Sequence, residues 1–176
     1  MSDGLKRALL GQWDYKWRVR IRPRMDGLTD EEFWWEPAPD CWTLKEEDGQ
    51  FPHRWPEPDD PPPFTTIAWR MAHMIGPVLL GYAATFSGAP ADWDNLRWPG
   101  TAAGSLAMLD EAQATFGIAA QSFPADRFRE RIPDPAPGLP ELTYADIYLH
   151  VFDELVHHGA EVAVLRDLYR ARGGKA

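Results

Sequence analysis

The stretch TYADIYLHVFDELVHHGAEVAVLRDLYR, residues 143–170, decides the fold class. It opens on Thr143 with Asp146 three residues on, a pairing that starts a helix, and Gly173-Gly174 marks its end. At 100° per residue, Ile147, Val151, Leu165 and Leu168 or Tyr169 fall on one apolar stripe. Glu154 and His158 lie in the middle of that stripe. Four residues apart, they sit one above the other on the same face. An ionised carboxylate in a helical core is expensive unless it is paired or bound to a cation. A Glu at one position and an imidazole four residues later can both reach one metal ion.

Outward from this helix, three more are predicted. One starts at Thr65 or Thr66, runs through Ile67, Trp69, Met71, Met74, Val78, Leu79 and Tyr82, and stops before Gly88. It is apolar on most sides, which predicts deep burial. Pro77 lies inside it and cannot donate to the carbonyl of His73, so that turn is expected to be distorted. Another helix is capped by Thr101 and carries Leu106, Leu109, Gln113, Phe116 and Ala120 on one stripe. The first spans about residues 3–22, with Leu5, Leu9, Trp13 and Trp17 at helical spacing. Residues 17–22 alternate with period two, as a strand would, but no partner strand is visible nearby. Pro23 ends or kinks this helix. Thr29 with Glu32 reads as a short capped turn.

Between these helices lie long Pro- and Trp-rich loops. Residues 36–63 carry prolines at 37, 39, 52, 56, 58, 61, 62 and 63, which exclude a helix or a central strand. Trp35, Trp42 and Trp55 predict that this loop packs on the body. Residues 89–100, with Trp93 and Trp98, and 124–140 form the other two links. Four long helices without a convincing strand predict an all-α four-helix bundle in one domain, residues 1–176.

Composition bounds the function. With 176 residues, 44% of them apolar, and nine Trp, eight Phe and five Tyr, the chain has too much apolar surface to stay disordered. The net charge of −9 argues against a protein that grips nucleic-acid phosphates or acidic lipid. No apolar run approaches the roughly 20 residues of a membrane span, and the N-terminus lacks the apolar stretch of a secretion signal. These features predict a cytoplasmic protein. A single cysteine, Cys41, excludes a disulfide framework and a CxxC zinc motif. It has no identified partner base and is read as non-catalytic.

His73 is the only histidine on the buried second helix. Turned inward at the level of Glu154 and His158, it completes a set of two imidazoles and one carboxylate. That is the ligand count of a catalytic divalent-metal site with positions left open. Glu161 lies further down the stripe and could orient a ligating ring. His150 is eight residues from His158, about 12 Å along the axis, so one small ion would not comfortably take both. His157 points to the edge of the stripe. The plainer readings stand beside this one: a core histidine as a hydrogen-bonding group, a Glu–His pair as a simple side-chain bond, and the tryptophans as packing.

The segment Ile67-Ala68-Trp69-Arg70-Met71-Ala72-His73, the segment from Asp153 to Val162 and the following Leu165-Arg166 together resemble the DinB superfamily. Gly27-Leu28-Thr29 and Trp35-Glu36-Pro37 fit the same pattern. The resemblance covers the chain from the first helix to about Tyr169. It implies a four-helix bundle of up-down-down-up connectivity. It also implies a divalent metal held by one ligand on the second helix and two, four apart, on the last. Those positions are His73, Glu154 and His158. Glu154 departs from the usual third histidine and resembles the mycothiol-dependent maleylpyruvate isomerase branch; that enzyme has a further C-terminal domain and this sequence ends soon after the last helix, so its specific reaction is not the one expected.

The resemblance further implies zinc or nickel as the metal and a low-molecular-weight thiol, such as mycothiol or bacillithiol, as cosubstrate in S-transfer or isomerisation of a small molecule. It allows a homodimer. Two other functions stay open: a non-catalytic bundle that binds a metal or an apolar ligand, and metal-assisted hydrolysis with Glu161 or His150 as base.

Overall fold

The computed structural model describes residues 1–48, 51, 64–90, 96–133 and 141–174. It is helical, with no strand among the described residues. Trp55 and Trp93 lie outside them.

The first rod begins as α1 (Asp3–Tyr15), capped by the Ser2 side chain. It widens into a π-helical stretch (Lys16–Ile21) and tightens into a 3₁₀ turn (Arg22–Met25) that holds Pro23. The alternating segment is thus helical: Trp17 and Ile21, four apart, are buried while Val19 is half exposed. The inward face of this rod is Trp13, Trp17 and Ile21, and Leu5, expected on the same stripe, is 53% exposed: each step of four residues drifts about 40° around a helix, which carries Leu5 off that face. After Gly27, at positive φ, comes the short α2 (Asp30–Trp34). Thr29 and Glu32 cap it reciprocally.

The second rod starts at the Thr66 cap with α3 (Ile67–His73). It passes through a π-helical stretch (Met74–Leu80) around Pro77 and ends as α4 (Gly81–Ser87), closed by Gly88 in the left-handed conformation. Pro77 has no N–H for the carbonyl of His73, and the wider turns accommodate its ring. His73 is therefore the last residue of regular helix before the distortion. α5 (Ala102–Ser122) is capped by Thr101. Its buried stripe includes Ala102, Ser105, Leu109, Ala112, Phe116 and Ala120, with Ala112 in place of the predicted Gln113. α6 (Tyr144–Ala171) has the full Thr143–Asp146 capping box. Its stripe drifts through Val151, Leu155, His158, Val162 and Leu165, and Leu168 ends up 49% exposed.

Contacts at the ends fix the directions. Lys6 Nζ donates to the carbonyls of Gln121 and Phe123, so the first rod starts where α5 finishes. Tyr148 Oη donates to the carbonyl of Leu9, and Arg166 to those of Arg24 and Asp26, so α6 runs parallel to the first rod. His73 meets Glu154 near the start of the second rod and Phe86 meets Tyr144 near its end, so these two are antiparallel. The core between the rods is aromatic: Trp13 against Phe116 and Tyr148, and Phe86 against Phe116, Phe123, Phe128 and Tyr144.

Three features seat the middle of α6 and the start of the second rod facing it. A methyl group on Gly159 would lie 2.6 Å from Ile21 Cγ2, so the absent side chain lets the first rod approach beside His158. Arg166, 2% exposed, donates from Nε and Nη2 to both oxygens of Glu32, which is fully buried. The described start of the 36–63 stretch is clipped to the start of the second rod through Trp42. Trp42 donates its N–H to the carbonyl of Phe64, Thr66 donates to that of Trp42, and the Trp42 ring packs on Trp69. Trp35 packs on Tyr169 in the same way. None of the helices of the described residues is long and apolar enough to cross a membrane.

Candidate metal centre

The second rod and α6 bring His73, Glu154 and His158 together. Glu154 Oε2 lies 3.2 Å from His73 Nε2 and 2.8 Å from His158 Nε2. The two rings meet edge to face with centroids 4.8 Å apart. One donor atom from each residue lies within 4.8 Å of the other two. Three ligands on an ion at 2.0–2.2 Å stand about 3–3.5 Å apart, so only small side-chain adjustments separate this arrangement from a coordination sphere. The donor set of two imidazoles and a carboxylate suits zinc or a neighbouring divalent transition metal.

Hydrogen bonding around His158 sharpens the fit. Its Nδ1 lies 2.7 Å from Glu161 Oε2, while its Nε2 lies 2.8 Å from Glu154 Oε2. A neutral imidazole carries one N–H and cannot donate at both ends. With the proton on Nδ1, facing Glu161, the Nε2 lone pair faces a carboxylate lone pair. A cation between Nε2 and Oε2 removes that conflict, as in a carboxylate–histidine–metal relay. An imidazolium would also remove it, and the two resolutions differ in whether metal is present.

Arg70 completes the chain of contacts. Its Nε forms an ion pair with Glu161 Oε2 at 2.8 Å. Three residues before His73, it occupies the same side of α3. Trp69 stacks on the His73 ring, with centroids 5.5 Å apart and planes 7° from parallel. Neither Arg70 nor Trp69 was singled out as a site residue from the sequence, although i, i+3 and i, i+4 spacing from His73 was the available signal. His157 Nε2 reaches Glu161 Oε1 at 3.3 Å from an exposed position. His150 stands at the rim, 3.9 Å from Glu154 Oε1, with its ring against Tyr82.

The electrostatics favour a neutral His73 ring and ionised acids. Burial, together with the neighbouring His158 and Arg70, pushes His73 down to about 4, against the pull of Glu154. For Glu154, burial works upward, but the hydrogen bond with His73 and the nearby His158 outweigh it and hold the carboxyl below its ordinary range. Glu161 is likewise lowered overall: burial opposes ionisation, and His158 and Arg70 more than offset it. Burial raises the Cys41 thiol, helped by Glu36, which leaves it less nucleophilic.

The His73 value carries a sign. Its folded pKa lies below the ordinary value near 6.5, so its contribution to stability is complete above about 6.5 and is lost as pH falls toward 4. The lowered carboxyls act in the same direction below their ordinary range. The metal-free protein is expected to lose thermal stability from about pH 6.5 to 4. Thermal melts of wild type and His73→Gln across that range check this, and the variant gives the shallower slope between pH 6.5 and 5.

A family model for the DinB superfamily matches residues 13–162. The chain belongs to the DinB superfamily. Comparison with curated proteins and with solved structures finds no significant match. The part of this DinB-superfamily chain that matches contains His73, Glu154, His158, Glu161 and Arg70, so the whole cluster lies in the shared region. The Arg166–Glu32 pair straddles its C-terminal limit.

Proposed function

We propose that His73, Glu154 and His158 hold one divalent cation, zinc or nickel, and that the protein is a metal-dependent enzyme using a low-molecular-weight thiol of the mycothiol or bacillithiol kind in S-transfer or isomerisation of a small molecule. The observation that carries the metal is the convergence on Glu154 Oε2 of two imidazole nitrogens, one of them on a ring whose other nitrogen already faces Glu161. The thiol chemistry rests on the family and on the open coordination positions that three protein ligands leave.

A bound divalent ion would stabilise thiolate over thiol and so supply a nucleophile at neutral pH. The chain's own groups prepare the site for it. Glu161 fixes the orientation of His158 through Nδ1. Trp69 fixes the plane of His73. Burial keeps His73 neutral, the form in which imidazole ligates. A reducing cytoplasm, where such thiols stay unoxidised, is the setting that goes with this reading.

Substituting Co²⁺ tests it. The expected result is one Co²⁺ per chain with a coordination spectrum that changes when a thiol is added. Stoichiometric Co²⁺ with no response to thiols would instead favour a metal-binding bundle without thiol chemistry, and no bound Co²⁺ would defeat the metal itself. Glu161→Ala is expected to weaken metal binding by about 10–100-fold without abolishing it, as loss of a ligand-orienting partner does. A competition titration against a chromophoric chelator measures this.

A further inference from the structure

Arg166 is buried and Arg70 partly buried, and the two are partnered very differently. Arg166 uses Nε, Nη1 and Nη2 in aligned hydrogen bonds to Glu32 and to two backbone carbonyls. Its donors are satisfied and its role is structural. The side chain of Arg70 is 15% exposed, yet it makes no aligned hydrogen bond among the described residues. Its Nε is ion-paired with Glu161 Oε2 at 2.8 Å, although the N–H is not aligned on that oxygen, and neither Nη1 nor Nη2 makes a hydrogen bond to a described residue. The guanidinium lies against the Trp69 ring, with Cζ 5.2 Å from the centroid. Trp69 also stacks on His73, so guanidinium and ligating ring are packed on one indole.

A guanidinium presents five donors in a rigid planar fork that matches a carboxylate. Leaving such a group desolvated and unsaturated is unfavourable. Burial acts against the Arg70 charge, and Glu161 and Glu154 only partly offset it. With Glu161 at Nε, the acceptor that the two Nη groups lack is a second anion.

We propose that Arg70 is a specificity-determining clamp that binds the carboxylate of a small-molecule substrate or thiol whose other end reaches the metal. The inference rests on the metal reading above. It adds the chemical class of the ligand, an acid whose carboxylate stands a few bonds from the metal-binding atom.

Two thiols that differ in one group test it: 3-mercaptopropionate, which carries a carboxylate, and 2-mercaptoethanol, which does not. Both coordinate through sulfur with release of the thiol proton to solvent. Each is titrated into Co²⁺-loaded protein and followed by the sulfur-to-cobalt absorption. The wild type is expected to bind the carboxylate thiol about 10–100-fold more tightly, the range of one or two charge-assisted hydrogen bonds. In Arg70→Gln the ratio of the two affinities falls to about one, and Arg70→Lys keeps part of it. The ratio is insensitive to any uniform weakening of the metal site in the variants. Equal affinities in the wild type, or a preference that survives Arg70→Gln, overturn the clamp while the metal reading stands. Absence of bound Co²⁺ in wild type overturns both.

Discussion

Replacing Arg166 by Met is expected to destabilise the protein by about 3–5 kcal/mol, the range seen when one partner of a buried ion pair is removed. Glu32 would be left fully buried with only Arg170, 3.4 Å from Oε1 and 40% exposed, as a cationic neighbour. The carbonyls of Arg24 and Asp26 would lose their donor as well. At about 2–4 °C per kcal/mol for a chain of this size, the melting temperature falls by about 6–20 °C. Removing both charges in Arg166→Met/Glu32→Gln should cost less than the single change, because no uncompensated charge remains. Urea melts of the two variants measure the difference. A single variant within 1 kcal/mol of wild type would show that the pair does not hold α6 against the first rod and α2.

Loss of a metal ligand is the second large effect. His158→Ala and Glu154→Ala are each expected to lower affinity for Zn²⁺ or Ni²⁺ by more than the 10–100-fold assigned to Glu161→Ala, since each removes a direct bond as well as an orienting contact. Glu154→Ala carries a diagnostic sign. In a protein that binds no metal, it removes one acid from between two imidazoles and leaves the rings facing a void. In a protein that binds metal, it also removes the charge that makes the site attractive to a cation. His150→Ala, at the rim, changes affinity little. Isothermal titration of the metal-free proteins ranks the three, and an equal effect of His150→Ala would displace the assignment.

Much of this architecture was legible in the sequence, for local reasons. The caps at Thr29, Thr101 and Thr143, and at Thr65 or Thr66, need only a hydroxyl and the N–H groups of the next turn, so spacing alone predicts them, and the structure chooses Thr66. Pro77 removes one N–H, and the π-helical stretch follows at that point. Periodicity placed Glu154 and His158 on the inner face of α6. The rest depends on contacts between distant segments. Leu168 looked buried on a helical wheel, but an α-helix drifts against any straight stripe, and the inner face had moved on to Arg166 by that turn. Leu5 continues the Trp13 and Trp17 spacing, but steps of four drift about 40° around the helix, and it is exposed. Arg70 and Glu161 meet only because α3 and α6 are antiparallel at that level, and no local pattern encodes that pairing. The buried Arg166–Glu32 bond is of the same kind, joining residues 134 positions apart.

The most direct measurement is anomalous diffraction from crystals of the zinc- or nickel-equilibrated protein, collected on both sides of the metal's absorption edge. A single strong peak is predicted between the second rod and α6, about 2.0–2.2 Å from His73 Nε2, a Glu154 oxygen and His158 Nε2. A map with no peak there, in which Glu154 keeps direct hydrogen bonds to both imidazoles, would contradict the account.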